Sequence, residues 1–88
     1  MFEEVIDINK LPKLDLHGEY SETSRMYIND FVNENIKLKN KYIAIIHGKG
    51  KGILKKVTLD TLKTNKNVVE YKICFFNDGM TLVKLNLK

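Results

Sequence analysis

His17 and His47, thirty residues apart, are each followed at once by glycine; the alternating Leu14-Asp15-Leu16 precedes the first and the apolar run Tyr42-Ile43-Ala44-Ile45-Ile46 the second. An imidazole titrates near ~6.5, so it can give or take a proton at neutral pH. Asp15 stands two residues before His17, and His47 leads into Gly48-Lys49-Gly50-Lys51-Gly52. Residues without a Cβ let backbone N–H groups approach an anion closely, and lysines add charge, so this loop has the makings of a phosphate cradle. The set suits proton transfer at a phosphodiester. His17 is one partner, and His47 is either the second proton-transfer group or a phosphate ligand. Lys49 and the loop amides would stabilise charge building on the phosphate oxygens. Asp15 either orients an imidazole or satisfies backbone donors at a strand end.

The elements that must position these residues are legible from periodicity. Leu14-Asp15-Leu16-His17 alternates as a short strand. Gly18 signals a turn, and a helix follows from about Glu22 with Ser21 as its N-cap and Ile28, Phe31, Val32 and Ile36 facing a sheet. The β-branched run Tyr42-Ile43-Ala44-Ile45-Ile46 suits a central strand covered on both faces. Leu54, Val57, Thr58, Thr61 and Leu62 recur at helical spacing. Residues 68–76 and 80–87 read as two strands joined by a hairpin at Asn77-Asp78-Gly79, with Tyr71, Phe75 and Phe76 in the sheet. The order is β-α-β-α-β-β over residues 14–88, with 1–13 as an N-terminal arm or edge strand. Two strands joined through a crossover helix run parallel, so both His-Gly pairs belong at one carboxyl edge, where α/β sheets collect ligands.

Eighty-eight residues make one small domain, with 15 Lys+Arg against 11 Asp+Glu. Between residues 37 and 56 every charge is positive: Lys37, Lys39, Lys41, Lys49, Lys51, Lys55 and Lys56. Cations at a helix start oppose its dipole, which is sensible if an anion binds there, and such a run attracts a polyanion. Tyr20, just after His17-Gly18, either stacks on an unpaired base or caps the core. Cys74 is read as a buried, inert thiol.

Several classes are excluded. The glycine loop lacks the spacer and ending of a P-loop and the spacing of a dinucleotide fingerprint. No apolar run approaches the ~20 residues of a membrane span, and Met1-Phe2-Glu3-Glu4 is no signal-peptide start, so a cytoplasmic protein without a membrane partner is expected. Asp15, with Glu19 or Glu22 as helpers, is too sparse a carboxylate set for a dedicated metal cage.

Leu14-Asp15-Leu16-His17-Gly18, followed by Ile46-His47-Gly48-Lys49-Gly50-Lys51-Gly52-Ile53-Leu54-Lys55, resembles the small MutS-related (Smr) domain family. The resemblance extends from residue 14 to 87. It implies an α/β (α+β sandwich) fold, with a mixed four-stranded sheet and two helices, similar to the C-terminal domain of translation initiation factor three. It also implies nucleic-acid binding and endonuclease activity on DNA, by nicking, or on RNA, with the ribosome as a further partner. The family's Asp-x-His pair falls on Asp15 and His17, and its His-Gly-x-Gly motif on His47, Gly48, Lys49 and Gly50. Gly52, Lys51, Lys55, Lys56 and Tyr20 complete the expected nucleic-acid contacts. A third, glycine-rich family motif is kept in part, as Asn77-Asp78-Gly79-Met80-Thr81-Leu82-Val83, with Met80 replacing a small residue. RNA supplies its own 2′-hydroxyl nucleophile, which favours RNA; DNA nicking would call for one weakly held divalent ion. The alternative is a non-catalytic module that docks on DNA, RNA or a ribosome through residues 37–56.

Overall fold

The apolar run at 42–46 forms the strand β2 (Tyr42–Ile46), in which Ile43, Ala44 and Ile45 are wholly buried. The computed structural model describes residues 7–87. The short strand β1 (Lys13–Asp15) lies parallel to β2, with Asp15 opposite Ile46. On the other side of β2 runs β4 (Asn77–Leu85), antiparallel, and beyond it β3 (Val68–Cys74) forms the far edge, giving the order β1-β2-β4-β3. The parallel pair is joined through α1 (Ser21–Lys37), and α2 (Ile53–Thr64) links β2 to β3. This is the mixed four-stranded α+β sheet with two helices that the periodicity and the resemblance led us to expect.

Both helices cover one face of the sheet. Leu16, Ile43, Ile45, Val83 and Leu85 pack there against Ile28 and Val32 of α1 and Leu62 of α2. The opposite face carries a smaller cluster of Ala44, Cys74, Met80 and Leu82. Ile8 and Leu11 cover it from a segment whose residues Ile8–Lys10 form a 3-10 turn. The part of the expected arm at 1–6 lies outside the described residues. Met80 therefore fills the face away from the helices.

Three boundaries differ from expectation. Strand β1 ends at Asp15, so His17 sits in a turn. Ser21 is the first helical residue of α1 and not its cap; Tyr20 takes the cap position, its carbonyl accepting from the Ser24 N–H at 2.9 Å. The β3–β4 turn is Phe75-Phe76 and not Asn77-Asp78-Gly79. Cys74 pairs with Asn77 while Ile73 pairs with Thr81, so 78–80 bulge away from β3. The Gly79 carbonyl accepts from both the His47 and Gly48 amides, at 2.9 and 3.0 Å, and this pairing across to the end of β2 outweighs the local turn preference of Asn-Asp-Gly. Phe75 and Phe76 accordingly leave the sheet, while Tyr71 stays in β3 opposite Val83.

Candidate functional site

The parallel pairing of β1 and β2 brings His17 and His47 to the same carboxyl edge, but strand register turns their side chains apart. Asp15 opposite Ile46 sets Leu16 in phase with His47, on the face packed by the helices. His17 follows in the turn and is exposed. Asp15 takes the second of the two roles open to it: its Oδ1 accepts from the His17 backbone N–H at 2.9 Å. No hydrogen bond runs from Asp15 to the imidazole among the described residues. The carboxylate thus fixes the turn from which the ring projects, and the ring itself meets solvent.

His47 is buried, only 5% exposed, and both its nitrogens are engaged. Nδ1 lies 3.1 Å from the Gly48 carbonyl, which can only accept, so Nδ1 carries the proton. Nε2, 2.8 Å from Thr81 Oγ1, then accepts from the hydroxyl of the neutral ring's partner. Burial pushes the ring below the ordinary histidine value of 6.5, and the Lys55 charge acts the same way, against the opposing pulls of the Gly48 carbonyl and Asp78. Neither nitrogen is left for a substrate in this arrangement. What the ring does is tie the start of the glycine loop to β4.

Two stability predictions follow from that tie. Thr81→Val keeps the shape but removes the donor to a buried acceptor, and urea unfolding should show a loss of about 1–3 kcal/mol. Because the folded pKa of His47 is depressed, the unfolded chain binds this proton first. The contribution is therefore complete above the unfolded value of about 6.5 and is lost as pH falls from there through the folded value. Urea midpoints between pH 7.5 and 5 should decline in the unaltered chain and less steeply in His47→Gln.

After His47 the chain turns through Gly48 and Gly52, both in the left-handed region at φ 83, which a side chain would strain. Gly79 approaches this loop closely: a Cβ there would meet the Gly48 carbonyl carbon at 3.3 Å and Lys49 Cγ at 3.2 Å. The Gly48 amide is spent on Gly79, but those of Lys49, Gly50, Lys51 and Gly52 have no acceptor among the described residues. Gly52 caps α2 without a side-chain bond, and the first turn of α2 holds no acidic residue. Its positive end is thus uncompensated, with Lys55 and Lys56 on it. Lys49 makes an exposed ion pair of 3.7 Å with Asp78, and Lys56 one of 3.4 Å with Asp60; such pairs are worth little and are readily exchanged for phosphate. Lys51 is exposed.

The basic run at 37–56 is not one face. Lys37 and Lys39 lie at the C-terminal end of α1 and Lys41 just before β2, whereas Lys49, Lys51, Lys55 and Lys56 follow it, so the length of a strand separates the two groups. Tyr20 stands at the start of α1, 77% exposed, and does not cap the core. Glu19, just before the cap of α1, accepts from Thr23 Oγ1 at 3.3 Å. No group of three or more His, Cys, Asp or Glu side chains converges among the described residues. Reading the sequence did not assign a role to Thr81, although its spacing from Val83 and Leu85 already places it on the buried face that also holds His47.

The Smr domain family profile matches residues 14–86. The chain belongs to the Smr domain family. The Smr domain of Thermus thermophilus MutS2, known from its crystal structure, superposes with a TM-score of 0.82 at 23% identity, covering 85% of this chain and 98% of that one. YdaL, a stand-alone small MutS-related protein from Escherichia coli, superposes with a TM-score of 0.80 at 21% identity, covering 86% of this chain and 65% of that one. At this identity both likenesses speak for the fold. In sequence, the chain is 34% identical over 73 residues to Endonuclease MutS2 of Helicobacter pylori, covering 83% of this chain, and 34% identical over 62 residues to that of Halothermothrix orenii, covering 70%. It spans only 10% and 8% of those relatives' lengths. This Smr domain is thus homologous to a small segment of each. No helix among its described residues is long and apolar enough to cross a membrane.

Proposed function

We propose that this Smr domain is a nucleic-acid-binding endonuclease that cleaves phosphodiester bonds at the carboxyl edge of β1 and β2. The observation that carries this reading is the exposed imidazole of His17 on the same sheet edge as a lysine-bearing loop with four amides that have no acceptor among the described residues. In this reading the amides of Lys49, Gly50, Lys51 and Gly52 hold phosphate oxygens, with Lys49, Lys51, Lys55 and Lys56 supplying charge. His17 moves the proton. Asp15 positions it through the backbone. His47 is a positioning residue that sets the loop through Thr81 and Gly48, and Tyr20 offers a ring to an unpaired base.

One imidazole with few carboxylates suits RNA better than DNA. With RNA the 2′-oxygen attacks phosphorus as His17 takes its proton, and the 5′-oxygen leaves as the His17 imidazolium gives that proton to it, so one acid–base group that reaches both oxygens suffices. DNA hydrolysis must activate a water, and a single weakly held divalent ion would do so. The name Endonuclease MutS2 belongs to relatives of which this chain matches only 10% or less of the length, and it supports this reading.

A second reading is favoured by the engagement of both His47 nitrogens, which leaves one histidine facing solvent at this edge. The domain would then dock on DNA, RNA or a ribosome without cutting. Incubation with labelled single-stranded and duplex DNA and RNA, with and without excess chelator, separates these readings. Cleavage of RNA that survives chelation is the expected result. Binding without cleavage of any substrate, whatever ion is supplied, would establish the docking module instead.

A further inference from the structure

The turn between β3 and β4 holds the two most exposed phenylalanines of the described chain, Phe75 at 96% and Phe76 at 72%. Nothing local requires them. Among the described residues the only non-glycine residue with positive φ is Lys39, so the turn uses ordinary backbone that polar residues adopt equally well. Two-residue turns favour Asn, Asp and Gly, and two adjacent exposed rings invite association with something apolar. Their position suggests the occupant. Asn77 follows Phe76 directly, Asp78 pairs with Lys49 at 3.7 Å, and the Gly79 carbonyl holds the His47 and Gly48 amides. The tip therefore projects from the segment that closes the lysine loop.

We infer that Phe75 and Phe76 form a stacking platform for unpaired bases, setting the strand so that a neighbouring phosphate falls on the Lys49–Gly52 loop. This rests on the nucleic-acid reading of the edge and sharpens it by naming the substrate class: single-stranded or locally unpaired nucleic acid. Apolar rings beside unpartnered amides and lysines match the two surfaces of a nucleotide, its π-face and its phosphate. A paired base has no free face to offer, so duplex should gain little from the platform. A second copy of this chain is the competing occupant, but a basic loop beside the tip would meet its own charge across a symmetric contact.

Fluorescence anisotropy with a labelled oligouridylate, the same strand made abasic and a duplex of equal length tests this. Phe75→Ala/Phe76→Ala changes only exposed turn residues, and circular dichroism and thermal unfolding verify the fold. The double variant should bind oligouridylate at least about tenfold more weakly, with an unchanged salt slope. It should bind the abasic strand and the duplex as the unaltered protein does, and Phe75→Trp/Phe76→Trp should retain the single-strand affinity. If the unaltered protein binds oligouridylate with steep salt dependence and the alanine variant keeps that affinity, the platform is overturned while the edge reading stands. Loss of a dimer in the variant with equal oligouridylate affinity also overturns it. If the unaltered protein binds no oligonucleotide at all, both fall together.

Discussion

Replacing His17 with alanine is expected to lower nucleic-acid cleavage by about 10²- to 10⁴-fold, the usual worth of a positioned acid or base, while leaving binding and folding intact. The fold should tolerate the change because the ring is exposed and only the backbone of His17 is bonded, to Asp15. His17→Gln keeps a polar side chain of similar size without a titratable group, and should be as inactive as alanine. Asp15→Asn retains an acceptor for the His17 amide and should therefore cost much less than loss of the ring. Asp15→Ala removes that acceptor, loosens the turn and should fall between the two. Single-turnover rates at saturating protein keep binding out of the comparison. Equal rates for the unaltered chain and His17→Ala would remove His17 from the chemistry.

The second large effect concerns charge. Lys49→Ala/Lys51→Ala/Lys55→Ala should weaken single-strand binding and flatten the dependence of log K on log salt by about two, since each phosphate neutralised contributes about 0.7 on single strands. The matched variant Lys37→Ala/Lys39→Ala/Lys41→Ala removes the same formal charge from the other end of β2. It should leave the slope close to that of the unaltered protein. The contrast matters because the two lysine groups are continuous in sequence and are separated only by the strand between them. Equal effects from the two variants would mean a diffuse electrostatic attraction with no defined cradle.

The strands and helices that position this edge were readable because their signals are strong and redundant. Tyr42–Ile46 is an unbroken β-branched run, and Val57, Thr58, Thr61 and Leu62 mark the buried stripe of α2 as periodicity expects. The β3–β4 turn was not readable. Phe75 and Phe76 have strong strand preferences and Asn77-Asp78-Gly79 strong turn preferences, yet the carbonyl of Gly79 is claimed by two amides from the end of β2, a contact distant in sequence. The two histidines show a different limit. Equivalent strand ends correctly placed them on one edge, but a one-residue offset in register sends His47 into the helix-packed face and leaves His17 outside. The alternation Ile43, Ile45, His47 held that parity all along. It needed the pairing with β1 to acquire meaning. The phase of Thr81 with Val83 was equally visible, and its partner was not.

The central claim is that nucleic acid occupies the carboxyl edge of β1 and β2. Amide chemical-shift mapping of the folded chain during titration with a short oligouridylate tests it residue by residue. The largest shifts should cluster at 17–21 and 49–55, with a second group at 75–79, and should leave 37–41 unmoved. Shifts centred on 37–41, or none at concentrations where binding is otherwise measured, would contradict it.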